Sequence, residues 1–100
     1  MKFDWDEDKN WRNTEKHKVN FDEAKTIFDD PDAIELEASR NGEYHIIRIG
    51  KTAIKFILLV VYTLRGLVVR LISAQQANNN ERNLYLEHKF KNHDDESSNG

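Results

Sequence analysis

Arg70 stands in the middle of an apolar stretch, Val68-Val69-Arg70-Leu71-Ile72, whose alternation puts it on one strand face with Val68 and Ile72. A guanidinium does not lose its proton in a protein, so there it must reach solvent, pair with a carboxylate or hold an anion. Its planar fork matches two phosphate oxygens, which makes Arg70 a candidate phosphate clamp. A salt bridge to an acid on a packed helix is the competing, purely structural use. Arg65 lies in the tight turn Leu64-Arg65-Gly66, where a solvated charge is the ordinary role. Lys51 and Lys55 lie near the turn before the most apolar stretch, and Arg48 alternates with Ile47 and Ile49; the three could widen a basic, RNA-binding rim. His45 is a candidate proton carrier, because imidazole is the side chain suited to acid–base work near neutral pH, although a lone strand histidine often has no such task. Tyr85 follows Glu81 by four residues and shares its helix side. It could stack on a base or donate to a phosphate, or simply pack the helix.

Other chemistries lack their residues. The chain has no cysteine, which removes thiolate catalysis, disulfides and cysteine zinc sites. No two of His17, His45, His88 and His93 have the spacing of a helical metal site, and no glycine-rich phosphate loop or nucleophile elbow occurs. Neither metal nor cofactor is expected. The residues alone favour RNA binding over any named reaction.

Charge is unevenly distributed. Residues 1–43 carry 13 acids against 7 Lys/Arg, a net of −6, whereas residues 44–92 carry 8 Lys/Arg against 2 acids, a net of +6. An acidic part beside a basic part points to nucleic-acid contact on the basic side, against the plainer reading of two solvated faces. One hundred residues suit a single domain, expected over 1–92, and residues 93–100, without an apolar side chain, read as a disordered acidic tail. The opening residues are acidic and lack a signal-peptide core. The longest apolar run, 56–62, has seven residues where a membrane helix needs roughly 18. A cytoplasmic protein without membrane contact is expected.

The elements that must position these side chains follow from patterning. Phe3-Asp4-Trp5-Asp6 alternates like a short strand. Asp6-Glu7-Asp8 and Lys16-His17-Lys18 complement the two ends of a first helix. Asn20 with Glu23 caps a second, whose stripe is Phe21, Ala24, Ile27 and Phe28 and which stops at Asp30-Pro31. Strands are expected at 33–37, 44–49, 56–63 and 67–73, the third at the sheet centre and the last two joined as a hairpin. Asn78 with Glu81 caps a final helix with Leu84, Tyr85 and Phe90 on its apolar side. The fold class is α+β: two N-terminal helices, an antiparallel meander of three or four strands and a C-terminal helix.

The order of residues also resembles that of the BrnT toxins. The opening Phe3-Asp4-Trp5-Asp6, Lys9, Asn13, Lys16-His17, Phe21-Asp22-Glu23-Ala24 and Phe28 matches that family's opening. So do Gly50, Val60-Val61-Tyr62-Thr63, Arg65, Arg70-Leu71-Ile72-Ser73-Ala74, Ala77, Glu81-Arg82 and Tyr85, so that the resemblance covers residues 2–86. It implies a RelE-like fold and the toxin of a bacterial type II toxin–antitoxin pair, an endoribonuclease that stops translation without a metal. It implies a BrnA-like antitoxin as partner, which would carry the DNA-binding element, so that the toxin meets DNA only indirectly. Arg65, Arg70 and Tyr85 carry over as site candidates, with His45 standing where the family has Arg. Leu64 replaces an acid, Gln75-Gln76 a basic pair and Lys18 a glycine. Those substitutions support an alternative: a weakened homologue that only binds the antitoxin in operon autorepression.

Overall fold

A computed structural model of the chain describes residues 1–98, with side chains described through residue 93. Residues 57–63 of the strand expected over 56–63 form the core of β4 (Ile57–Arg65), which lies between β3 (Ile46–Lys51) and β5 (Val68–Gln76). Beyond β3 lies β2 (Ile34–Glu37), and all three of these pairings are antiparallel. The expected meander is therefore present with four strands. What differs is the other edge: β1 (Lys2–Asp4) joins β5 in parallel, giving a five-stranded mixed sheet of order β1-β5-β4-β3-β2. Phe3 is what holds β1 there, because its ring meets Phe28 edge-on with centroids 5.1 Å apart.

Helix α1 (Glu7–His17) starts where Asp6 accepts the amides of Asp8 and Lys9, and ends at Lys18 in the left-handed region, φ 60°. Helix α2 (Phe21–Ala24) starts at Asn20, which accepts from the Glu23 amide, and tightens into a 3-10 turn over Lys25–Asp29. Phe21, Ala24 and Ile27 are fully buried on the sheet face formed by Leu58, Val60, Leu71 and Ala74. Gly50 permits that approach: a Cβ there would lie 3.1 Å from the Cβ atoms of Ile27 and Ala33.

Helix α3 (Asn79–Ser98) opens with the expected reciprocal cap: Asn78 accepts the Glu81 amide and Glu81 accepts the Asn78 amide. It covers part of the opposite sheet face, where Tyr85 packs with Ile49 and Ile57. Leu84 and Phe90, expected on its apolar side, are instead 48% and 61% exposed, because the helix meets the sheet through Tyr85 and Leu86. The helix assigned to α3 runs into the segment expected as an acidic tail, as far as Ser98; residues 99–100 lie outside the described residues.

Past the three residues paired with β1, the edge of β5 is covered by α1. The buried Asn13 side chain donates to the Ala74 carbonyl at 2.8 Å and accepts the Ala74 amide at 3.0 Å, as a neighbouring strand would. Its amide nitrogen also reaches the Val19 carbonyl at 2.8 Å. This substitution of a side chain for a strand closes an edge that would otherwise present unpaired groups.

Candidate active site

Because side chains alternate along β4, Val61, Thr63 and Arg65 face away from the α1/α2 layer, and α3 covers only the far end of that face. Register places Arg70 opposite Thr63 on one side and Asp4 on the other. A bulge shifts the β4–β5 register between Val61, paired with Ser73, and Tyr62, paired with Leu71, so Ile72 is the extra residue. A groove of about 340 Å³ opens over this half of the sheet, lined by Arg65, Arg70 and His45 together with Lys9, Glu43 and Tyr44. It continues past Ile72 and Ser73 in two directions. One hollow takes in Arg40 and the other Arg12, Lys16 and His17 of α1. The result is a cationic belt crossing the β5 edge from α1 to the β2–β3 connection.

Two carboxylates restrain this belt. The Arg70 guanidinium pairs with Asp4 at 3.2 Å, and the His45 Nε2 meets the Glu43 carboxylate at 3.0 Å. The Asp4 side chain is half exposed, and a pair so placed contributes only about 0–1 kcal/mol, so a phosphate can compete for the guanidinium. The Glu43 contact orients the histidine. An ionised carboxylate only accepts, so Nε2 carries a proton and, in the neutral ring, Nδ1 keeps its lone pair. A base held by a carboxylate beside two guanidinium groups can accept a proton while charge on a phosphate is neutralised.

Three of the four catalytic candidates thus share one groove. Tyr85 does not. It is fully buried at the other end of the sheet, and its hydroxyl donates to Asp30 at 2.7 Å. Burial and then the Asp30 carboxylate push the Tyr85 pKa well up, which suits a fixed donor. Burial opposes the charge on Asp30, but the Tyr85 hydroxyl and the amides of Lys51 and Asp32 outweigh it and hold the carboxyl below its ordinary value.

The RNA-binding candidates also separate from the groove. Arg48 pairs in register with Val60, which faces the α1/α2 core. Its guanidinium bonds Glu35 at 3.1 Å and the carbonyls of Ile27 and Asp30, over the ring of Phe28. It caps the carbonyl end of the 3-10 turn, where a cation is favoured. Lys51 and Lys55 line a different pocket, beside Tyr85.

The sequence reading did not place Glu43 or the α1 cations in the site. Counting net charge over residues 1–43 averaged Lys9, Arg12 and Lys16 with thirteen acids, of which only Asp4 and Glu43 meet the belt's cations. The i, i+3, i+7 spacing of the three α1 cations, which sets them along one helix side, was the available signal. Glu43 and His45 are two apart in extended backbone, hence on one side.

Among the described residues, no group of three His, Asp or Glu side chains is arranged to hold a metal ion, and no helix is long and apolar enough to cross a membrane. A family model described as the ribonuclease toxin BrnT of type II toxin–antitoxin systems matches residues 5–81. The crystal structure of the Brucella abortus ribonuclease toxin BrnT superposes with a TM-score of 0.64 at 23% identity, covering 79% of this chain and 99% of that one. That likeness concerns the fold. No curated protein matches the chain at a significant level.

Proposed function

Because the chain belongs to the BrnT family of ribonuclease toxins of type II toxin–antitoxin systems, we propose that the groove over β4 and β5 cleaves messenger RNA and so blocks translation. The observation that carries this reading is the convergence of Arg65, Arg70 and a carboxylate-held His45 in one open groove. His45 takes the proton of a ribose 2′-hydroxyl as its oxygen bonds the adjacent phosphorus. Arg65 and Arg70 neutralise the pentavalent phosphorane, and the bond from phosphorus to the 5′-oxygen breaks. The leaving oxygen is protonated from solvent, which reaches the open groove. The products are a 2′,3′-cyclic phosphate and a 5′-hydroxyl end, and no metal takes part. A toxin of this class has an antitoxin partner; a BrnA-like protein that masks the groove and supplies the DNA-binding element fits that role.

The test is induction of the chain alone. The wild type arrests growth and fragments messenger RNA. Arg70→Ala, with unchanged thermal stability, arrests neither growth nor translation, since loss of a charge-stabilising donor costs about 100-fold or more in rate. Full toxicity in a folded Arg70→Ala protein refutes the mechanism. A second reading, an antitoxin-binding module without nuclease activity, draws on the two acids that partly neutralise the belt, Asp4 and Glu43. It predicts that even the wild type leaves messenger RNA intact.

A further inference from the structure

Lys51 and Lys55 belong to a pocket of about 300 Å³ at the opposite end of β4 from the cleavage groove. Lys51 pairs with Ile57 and Arg65 follows eight residues on, so the two sites are roughly 26 Å apart along the strand. The third cation of this pocket is Lys89, from α3. That part of α3 lies outside residues 5–81, the segment matched by the family model.

The carboxylates present do not satisfy these cations. Asp30 lines the pocket, but its oxygens already accept from the Tyr85 hydroxyl and the amides of Lys51 and Asp32. Asp29 is exposed on the rim. Among the described residues, none of the three lysines forms an ion pair with a carboxylate. Burial, then the facing Lys89 and after it Lys55, lower the Lys51 pKa from its ordinary value, and Asp30 offsets them only in part. The pocket therefore holds mutually repelling ammonium groups that a bound anion would relieve. Three point charges brought in from β3, the β3–β4 turn and α3 suit a tetrahedral oxyanion better than a planar one.

We propose that Lys51, Lys55 and Lys89 form a phosphate-binding pocket, separate from the cleavage groove and completed by α3. The ligand is a phosphate group, whether free or carried in an RNA strand. Phosphate binding in this pocket is independent of RNA cleavage in the groove.

The experiment is an NMR titration of the full chain with inorganic phosphate at low ionic strength. Saturable shifts are expected at the amides of Thr52, Ala53, Ile54 and Lys55 and along α3 near Lys89. Lys89→Met, which keeps an apolar stem on the helix, weakens binding about tenfold, whereas Lys91→Met leaves it unchanged. Repeating the comparison with a 2′-O-methylated oligoribonucleotide separates the sources. A loss of affinity in Lys89→Met for both ligands assigns the pocket to a strand phosphate, and a loss for inorganic phosphate alone assigns it to a free phosphoryl compound. The absence of saturable shifts, or equal binding by wild type and Lys89→Met, overturns the proposal. Toxicity of the Arg70→Ala protein has no bearing on either result.

Discussion

Replacing Tyr85 by Phe removes one hydroxyl from a fully buried ring and leaves the packing on Ile49 and Ile57 in place. What is lost is a hydrogen bond to an ionised carboxylate, 2.7 Å long, and bonds of that kind contribute about 1.5–3 kcal/mol. Asp30 keeps the amides of Lys51 and Asp32 and is only partly buried, so the cost lies near the lower end, about 1.5 kcal/mol. In a domain of this size that lowers Tm by about 6–12 °C. The pH dependence follows from Asp30, whose folded pKa lies below its ordinary 3.8. Its interactions stabilise the fold above that value and are lost as the pH falls through the lower folded pKa. The gap between wild type and Tyr85→Phe should therefore be full at neutral pH and close in acid, as read by thermal unfolding across pH. Growth arrest on induction should persist below the lowered Tm. A Tyr85→Phe protein with wild-type stability and no toxicity would refute the structural assignment and return Tyr85 to the chemistry.

Asn13→Ala should cost about 3 kcal/mol in urea unfolding, because it strands the Ala74 amide and carbonyl at a covered sheet edge and leaves the Val19 carbonyl only the longer bond from the Thr14 hydroxyl. Asn13→Asp should recover little of it, since a carboxylate can accept the Ala74 amide but cannot donate to either carbonyl. Glu43→Gln should lower kcat for a model oligoribonucleotide about tenfold with KM unchanged, because the amide holds the His45 ring less firmly and stabilises its cation less. A matching rise in KM would mean that Glu43 serves substrate binding instead.

Local signals in the chain were sufficient for the elements. Asn20 and Asn78 cap the helices they were expected to cap, the acids at Asp6-Glu7-Asp8 stand at the start of the first helix, and the strand expected over 56–63 lies at the sheet centre. These features are decided by residues within one turn or one strand of each other, so short-range chemistry suffices to read them. The ordered motifs of residues 2–86 identified the family for a related reason: they are a one-dimensional pattern.

Tertiary structure decided what the candidates do. Arg48, Arg65 and Arg70 look alike as strand or turn arginines, yet register sends Arg48 to the packed face and leaves the other two on the open one. A one-residue change in register would reverse those faces, and the β4–β5 bulge shows that alternation alone does not carry through a strand pair. The pairing of β1 with β5, which brings Asp4 to Arg70, spans some sixty residues and has no local signature. Tyr85 was drawn away from the groove by Asp30, fifty-five residues earlier, for the same reason: a buried hydroxyl takes whatever acceptor the packed chain offers it.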